Sequence, residues 1–381
     1  MRIPRVVVVQ PEPTPYRSPM FDLIAGRGHV DIRVVYAARS VASLPWDGLS
    51  SQDAITLHGL RVPGVRRLFR HDYPLTPGIF RALGRSRPDC VVVSGWSTFA
   101  SQAAIAWCRI RHVPYVLLVE SNDRDPRPGW RRAVKGAVVP RIVAGADHVL
   151  VVGSLARESM VTRGADPQRI SIFANTIDVD DFSLRIDRMR ERRGSIRAEL
   201  GIAPEDVLVG CVARFVADKG IDTLLDAVAR AGGPLRALVV GDGPLREGLE
   251  SSSSARAARA IFVGNRDRET LLADYTAMDV FALLSRQEPW GVVVNEAAAA
   301  ELPLVLSDRV GAAYDLLRPG ENGFLVPVDD PHAAAEVFRA LACDPIVRLE
   351  MGRRSRELVS ATGYGPSLDA FERAVLEVTA R

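Results

Sequence analysis

The chain has 381 residues, enough for two domains that each bury a core of their own. The hydrophobic fraction of 47% and the charged fraction of 25% are typical of a globular protein, and no apolar run approaches the ~20 residues that span a bilayer. The short apolar run after Met1 predicts a first strand rather than a signal peptide, and the four scattered cysteines predict free thiols in a cytoplasmic protein.

The net charge of +3 conceals an uneven distribution of charge. Residues 1–180 carry 24 Lys and Arg against 15 Asp and Glu, whereas residues 181–381 carry 25 against 31. Two basic clusters stand in the first half, namely Arg61, Arg66, Arg67, Arg70, Arg81, Arg85 and Arg87, and then Arg124, Arg127, Arg131, Arg132, Lys135 and Arg141. Such helices dock on anionic membranes, here at the inner face, or bind anionic acceptors. A solvated arginine-rich face is the alternative, and no nucleic-acid-binding signature is present.

Short β-branched runs alternate with helical patterns through the first half of the chain. Strands are predicted at 6–10, 31–36, 90–94, 115–119 and 148–152. Helices are predicted at 19–26, 76–84, 98–111, 129–144 and 154–163. Because these strands are apolar on both sides, they predict a parallel sheet covered on both faces. Residues 1–180 are therefore predicted to form one doubly wound, Rossmann-like α/β domain.

The same alternation returns after a charged passage at 178–200, which is predicted as a linker with a lead helix. Strands are predicted at 207–212, 236–240, 260–263, 280–284, 304–306 and 323–326. Helices are predicted at 220–230, 244–251, 268–277, 292–301, 313–317 and 332–342. Residues 181–361 are thus predicted to form a second Rossmann-like domain, and the last helix, about 362–381, is predicted to pack back on the first. Ligand sites are expected at the carboxyl ends of the strands, with the main site in a cleft between the domains.

The stretch 285–301, S-R-Q-E-P-W-G-V-V-V-N-E-A-A-A-A-E, reads as the end of a strand, a loop and a helix. The N–H groups of Gly291, Val292 and Val293 would lie at the helix N-terminus without intrahelical partners, a setting that favours phosphate. Glu296, further along this helix, suits the vicinal hydroxyls of a ribose. Glu288 in the loop would face another part of the same ligand. The alternative is a structural helix cap with two solvated glutamates.

Two further loops of the second half point to a diphosphate. Arg214 and Lys219 follow the strand 207–212, and a guanidinium and an ammonium are complementary phosphate ligands. Gly241 and Gly243 follow the next strand and would let the backbone approach a ligand closely. Each feature has an ordinary alternative, either surface cations in a loop or a routine glycine turn.

In the first domain, polar residues follow two core strands. Tyr16 and Arg17 end a proline-rich loop after the first strand, and Glu120 and Asp123 follow the strand that ends at residue 119. All four are expected to face the cleft, with an ordinary polar loop as the alternative. Asp178-Val-Asp180 looks like a metal-binding Asp-x-Asp, but its place in the linker favours a turn. The six histidines show no ligand spacing, so neither a metal nor a cofactor is predicted.

Together these residues resemble the family-4 retaining glycosyltransferases of the GT-B architecture. The family's glutamate pair is matched by Glu288 to Glu296, its R-…-K-G motif by Arg214 to Gly220, and its G-x-G-P turn by Gly241 to Pro244. Similarity extends to the linker at 174–182, to the base-reading stretch at 264–280 and to the N-G-x-L-V motif at 322–326. The Pro-Tyr-Arg loop at 15–17 replaces the usual glycine-rich first loop and is similar to a subgroup of polysaccharide and natural-product transferases.

The resemblance implies transfer of a hexosyl group from a nucleotide-diphosphate sugar to a hydroxyl acceptor with retained configuration. Arg214 and Lys219 would neutralise the departing diphosphate, Glu288 would contact the donor sugar, and Glu296 would bind the ribose. The proton of the acceptor would pass to the leaving phosphate, without a metal. Many members carry a histidine where this chain has Glu120, so a catalytic role for Glu120 or Asp123 stays open. A sugar-nucleotide epimerase, a phosphorylase and an inactive nucleotide-sugar binding protein are the alternatives.

Overall fold

A computed structural model describes residues 2–39, 51–60, 73–123 and 129–380, without the side chains of residues 129–135 and 137. The chain divides into two compact units. Unit 1 comprises Met1–Asn175 and Tyr364–Arg381, and unit 2 comprises Thr176–Gly363. The sequence placed these two boundaries at residues 180 and 361.

Unit 1 is built on a seven-stranded parallel sheet, as its valine-rich runs predict. The strands are β1 Arg5–Gln10, β2 Asp31–Tyr36, β3 Ala54–Thr56, β4 Cys90–Ser94, β5 Tyr115–Val119, β6 His148–Val151 and β7 Ile170–Ile172. Their order in the sheet is β3-β2-β1-β4-β5-β6-β7. Between them lie α1 Ser18–Arg27, α2 Gly78–Ser86, α3 Phe99–Arg111, α4 Gly129–Ala144 and α5 Ser154–Thr162. The sequence analysis missed β3 and β7, because a three-residue edge strand has no periodicity to detect.

Unit 2 repeats the design with six parallel strands in the order β10-β9-β8-β11-β12-β13. These strands are β8 Val207–Val212, β9 Leu235–Val240, β10 Ile261–Gly264, β11 Val280–Leu283, β12 Leu304–Ser307 and β13 Gly323–Val326. The first helices are α6 Val179–Arg190, α7 Arg193–Glu199, α8 Ile221–Ala231, α9 Arg246–Ser251 and α10 Ser253–Ala257. The later ones are α11 Arg268–Ala277, α12 Val292–Ala299, α13 Ala313–Leu316, α14 Pro331–Cys343 and α15 Pro345–Ser360. Two doubly wound sheets confirm the predicted fold class.

The charged passage before β8 is more regular than the sequence suggested, since it forms both α6 and α7. The carboxylate of Asp178 accepts a hydrogen bond of 3.0 Å from the Asp181 backbone N–H. Asp178 is therefore the N-cap of α6, and the predicted turn at this position is wrong. Helix α15 was not predicted at all, because its apolar positions are sparse among its charges.

Helix α16, Tyr364–Thr379, belongs to unit 1. Its Phe371 packs against Phe173, which follows β7, and against Phe21 of α1, with ring centroids 5.2 and 6.2 Å apart. The Phe21 and Phe173 centroids are 6.3 Å apart, so the three rings close one aromatic cluster. All three side chains are fully buried, and a helix distant in sequence thus supplies part of the hydrophobic core of unit 1.

At the amino end of the unit 2 sheet, two arginines of α7 hold the start of β11. Arg197 donates to the Ala277 carbonyl and to the Asp279 carboxylate, both at 2.9 Å. Arg193 donates to Asp279 at 2.7 Å, and the same carboxylate accepts from the Leu208 backbone N–H at 2.8 Å. Asp279 therefore links α7, β8 and β11 through charge-assisted hydrogen bonds.

Candidate active site

Three loops meet at the carboxyl edge of the unit 2 sheet, because β9, β8 and β11 are neighbours in it. The loop after β8 carries Arg214 and Lys219, the loop after β9 carries Gly241 and Gly243, and the loop after β11 carries Glu288. This edge is where parallel α/β sheets bind ligands.

The glycine loop packs directly on the loop that carries Arg214. A Cβ atom on Gly241 would lie 2.0 Å from the Ala213 carbonyl oxygen, and one on Gly243 would lie 2.6 Å from the Phe215 carbonyl oxygen. The Phe215 N–H donates to the Asp242 carbonyl at 2.9 Å. Contact between the two loops therefore requires both glycines, even without a ligand. The Arg214 side chain is exposed, and no hydrogen bond or ion pair holds it within the described part of the chain.

Lys219 and Glu288 form an ion pair between the loops after β8 and β11. The ammonium Nζ donates to the Glu288 Oε2 atom, and the two side chains are 23% and 13% exposed. The carbonyl oxygen of Asp218 accepts from the backbone N–H groups of Arg286 and Gln287 at 2.8 and 3.2 Å. These backbone hydrogen bonds hold the two loops side by side and so keep Lys219 and Glu288 close together.

Arg286 is a site-supporting residue that the sequence analysis did not single out. Its guanidinium donates to the Ala217 carbonyl at 2.7 Å, to the Asp329 carboxylate at 2.7 Å and to both Asp222 oxygens at 2.8 and 2.9 Å. It thereby ties the loop after β11 to the start of α8. Only its position two residues before Glu288 gave a signal in the sequence, and a loop arginine is usually solvated.

Helix α12 begins at Val292, directly after Gly291, whose φ of 97° is one that residues with a side chain rarely adopt. The N–H groups of Val292 and Val293, both partly exposed, have no intrahelical acceptor, whereas that of Val294 donates to the Gly291 carbonyl at 2.9 Å. Side-chain hydrogen bonds hold the residues at the start of the helix in place. The Trp290 indole donates to Asn295 at 3.1 Å, and Asn295 donates to the Thr176 hydroxyl at 3.2 Å.

Glu296 lies one turn into α12 and is partly buried. Its Oε2 atom accepts a 2.7 Å hydrogen bond from the hydroxyl of Tyr275 on α11. Burial raises the pKa of Glu296 to about 7, although the Tyr275 hydrogen bond and the Arg268 charge act in the opposite direction. Tyr275 lies in the stretch that the resemblance assigned to base reading. The structure instead buries its ring completely and directs its hydroxyl to Glu296.

The raised pKa of Glu296 predicts a measurable pH dependence of stability. Between pH 4.5, the usual pKa, and about pH 7, the folded protein holds more protons at this carboxyl than the unfolded chain does. The contribution of Glu296 to the free energy of unfolding therefore falls as pH rises through this window. Urea unfolding is measured at pH 5, 6, 7 and 8. The free energy of unfolding of Glu296→Gln should rise relative to that of the wild type up to about pH 7. A difference between the two proteins that does not change with pH would contradict the shift.

The four first-domain candidates do not share one environment. Arg17 is only 2% exposed, and burial lowers its pKa. Its guanidinium lies 4.2 Å from the Phe173 ring centroid and donates to the Phe173 and Ala174 carbonyls at 3.0 and 3.4 Å. It also pairs with the half-exposed Glu120 at 3.5 Å. Arg17 is thus built into the structure of unit 1, where it orients Glu120.

Asp123 pairs with Arg163 of unit 1, and Tyr16 is partly buried.

Several residues of the basic clusters lie outside the described residues, namely Arg61, Arg66, Arg67, Arg70, Arg124 and Arg127, as do the side chains of Arg131, Arg132 and Lys135. Among the described residues, no group of three or more His, Cys, Asp or Glu side chains could hold a metal ion. No helix in the described ranges is both long and apolar enough to cross a membrane.

The two doubly wound sheets are those of the GT-B fold, and the matching family models define the class of the protein as a glycosyltransferase. Residues 13–176 match the model of the glycosyl transferase 4-like domain, and residues 192–358 match that of the glycosyl transferases group 1. The chain belongs to this glycosyltransferase family, as the resemblance predicted. The Pro-Tyr-Arg subgroup stays a prediction.

Relatives share this assignment. The D-inositol 3-phosphate glycosyltransferase of Rhodococcus jostii is 31% identical over 81% of this chain and 68% of its own length. That of Corynebacterium kroppenstedtii is 30% identical over 67% of this chain, and the match spans only 58% of that relative. The crystal structure of Anabaena HepE in complex with UDP and glucose superposes with a TM-score of 0.72 over 99% of both chains. At 17% sequence identity, that similarity shows the fold alone.

Proposed function

We propose that the protein is a retaining, metal-independent hexosyltransferase that moves a sugar from a nucleotide-diphosphate donor to a hydroxyl acceptor. The observation that carries the proposal is the ion pair between Lys219 and Glu288 at the carboxyl edge of the unit 2 sheet, with Glu288 in the loop that leads into α12. A cation, a carboxylate and a helix N-terminus together offer sites for a diphosphate and for a sugar.

In this proposal the diphosphate lies at the first turn of α12, with Gly291, Val292 and Val293 donating backbone N–H groups. Lys219 and the exposed Arg214 neutralise the charge that develops on the leaving group. Because Lys219 is already paired with Glu288, the incoming diphosphate shares or takes over that cation. This exchange releases the Glu288 carboxylate toward the hydroxyls of the donor sugar.

Glu296 completes the donor site by accepting hydrogen bonds from the ribose hydroxyls. It stands one turn along α12 from the N–H groups that would hold the phosphates, and its Oε1 atom has no hydrogen-bond partner among the described residues. Gly241 and Gly243 support the site by fixing the Arg214 loop. The retained configuration rests on the family resemblance, with the acceptor proton passing to the leaving phosphate.

The acceptor is proposed to bind at the carboxyl edge of the unit 1 sheet, near Tyr16, Glu120 and Asp123. Glu120 is half-exposed and is held by Arg17, so it can accept a hydrogen bond from an acceptor hydroxyl. Peripheral contact with an anionic membrane is a further part of the proposal. In the described chain it is supported by α2, which exposes Phe80, Arg81 and Arg85.

A nucleotide-binding panel tests the donor assignment. Calorimetry with UDP, GDP, dTDP, ADP and NAD should show one nucleoside diphosphate bound well above the others. Glu296→Gln should weaken that binding by about tenfold to a hundredfold, because it removes a charged acceptor of ribose hydrogen bonds. The matched control is Glu250→Gln, which changes an exposed carboxylate of the same unit that pairs with Arg246.

A turnover assay with sugars of the preferred nucleoside diphosphate separates the epimerase from the transferase. A sugar-nucleotide epimerase would convert its nucleotide sugar without an acceptor, whereas a transferase releases the nucleoside diphosphate in proportion to acceptor glycosylated. A preference for NAD, or binding of no nucleotide, would overturn the proposed function.

A further inference from the structure

Tyr275 has a feature that packing alone does not explain. Its ring is completely buried in unit 2, and yet its hydroxyl is directed to a carboxylate at the candidate donor site. The hydroxyl lies 2.7 Å from Glu296 Oε2 and 3.4 Å from the carbonyl oxygen of Val293. Tyr275 thus contacts both the first turn of α12 and the side chain one turn further along.

The ring of Tyr275 is held from two sides. Phe182 of α6 packs edge-on against it with the centroids 5.9 Å apart, and Phe281 of β11 lies 6.2 Å away. Aromatic neighbours at these distances restrict the ring to one orientation. Burial holds the pKa of Tyr275 well above its usual range, so the hydroxyl stays protonated and donates a hydrogen bond to Glu296.

We propose that Tyr275 is a positioning residue that orients the Glu296 carboxylate and thereby makes the donor site select nucleotides with an intact ribose diol. This inference rests on the proposed function, in which Glu296 binds the ribose. Tyr275 occupies one lone pair of Oε2, and Oε1 is left as the oxygen that meets the ligand. A carboxylate fixed at one oxygen cannot rotate away from a diol, so its hydrogen bonds form at little entropic cost.

The titratable groups around the pair lie on elements of the same unit. Arg268 of α11 faces Glu296 and is itself paired with Asp181 of α6. Asp274 of α11 and Cys211 of β8 face Tyr275, and Asp274 is paired with Arg266. The Arg268 charge therefore favours the ionised form of the Glu296 carboxylate, and Arg268 lies on the same helix as Tyr275.

The experiment measures ribose discrimination. The ratio of dissociation constants is determined for the tightest-binding of UDP, GDP and ADP and for its 2′,3′-dideoxy form. The wild type should prefer the ribonucleotide by about 10- to 100-fold. Tyr275→Phe should cut that preference to about threefold, and KM for the donor should rise while kcat stays within about twofold. Tyr115→Phe is the matched control, because it deletes a tyrosine hydroxyl that donates to the Ile142 carbonyl at 2.6 Å in unit 1.

The outcomes separate the two levels of the proposal. Loss of discrimination in Glu296→Gln, together with unchanged discrimination in Tyr275→Phe, overturns the role of Tyr275 and leaves the proposed function standing. A wild type that binds both nucleotides equally overturns the ribose role of Glu296 and the inference with it. Phe182→Leu removes an aromatic contact of the Tyr275 ring but keeps its hydroxyl. If Tyr275→Phe does not fold, this variant tests the positioning role of Tyr275 in its place. Discrimination equal to that of the wild type in this variant overturns the inference.

Discussion

Lys219→Ala is expected to lower kcat by about 10²- to 10³-fold at saturating acceptor, with the fold intact. The ammonium group is the one described cation that the structure fixes beside Glu288, at the edge where the donor diphosphate is proposed to lie. Its removal takes away positive charge that acts on the leaving group. It also leaves the largely buried Glu288 carboxylate unpaired, which repels the same diphosphate.

Steady-state kinetics and circular dichroism check this prediction together. Arg230→Ala is the control, because it removes a cation from an exposed pair with Asp226 on the same unit, and its kcat should stay within about twofold of the wild type. The double variant Lys219→Ala/Glu288→Gln separates the two causes. It should recover the part of the loss that comes from repulsion. Near-normal turnover of Lys219→Ala would rule out the diphosphate role.

The second large effect is on stability. Arg197→Met is expected to destabilise unit 2 by about 3–5 kcal/mol, because it breaks a buried ion pair. The Arg197 side chain is 8% exposed and donates to the Asp279 carboxylate as well as to the carbonyl oxygens of residues 203, 206 and 277. A methionine fills part of the volume but satisfies none of these acceptors.

Arg193→Met is the natural comparison, since Arg193 contacts the same carboxylate while 38% exposed. Water can replace part of its interaction, and a loss of about 1 kcal/mol is expected. Urea unfolding of the whole chain, with hydrogen exchange followed in β8 and β11, assigns the change to unit 2. Equal losses in the two variants would show that burial does not set the strength of this network.

The fold of both units was predictable because parallel strands buried on two faces form unbroken apolar runs, such as Val6–Val9 and 207–212. Lys219 and Glu288 were each predicted in a loop at the carboxyl end of a strand, but their pairing was not, because it depends on β8 and β11 being neighbours in the sheet. The partner of Glu296 was not, because α11 and α12 meet only through tertiary packing. Arg17 was expected to face the cleft, and nothing in Pro-Tyr-Arg indicates a buried guanidinium stacked on Phe173.

The place of α16 reverses the order in which the two halves can mature during translation. Unit 2 is continuous in sequence and has all its residues once Gly363 has been made. Unit 1 lacks Phe371, and with it one ring of its aromatic cluster, until α16 has left the ribosome. The half that is synthesised first is therefore the last to complete its hydrophobic core, and a chain stopped after residue 363 would carry a finished unit 2 beside an open unit 1.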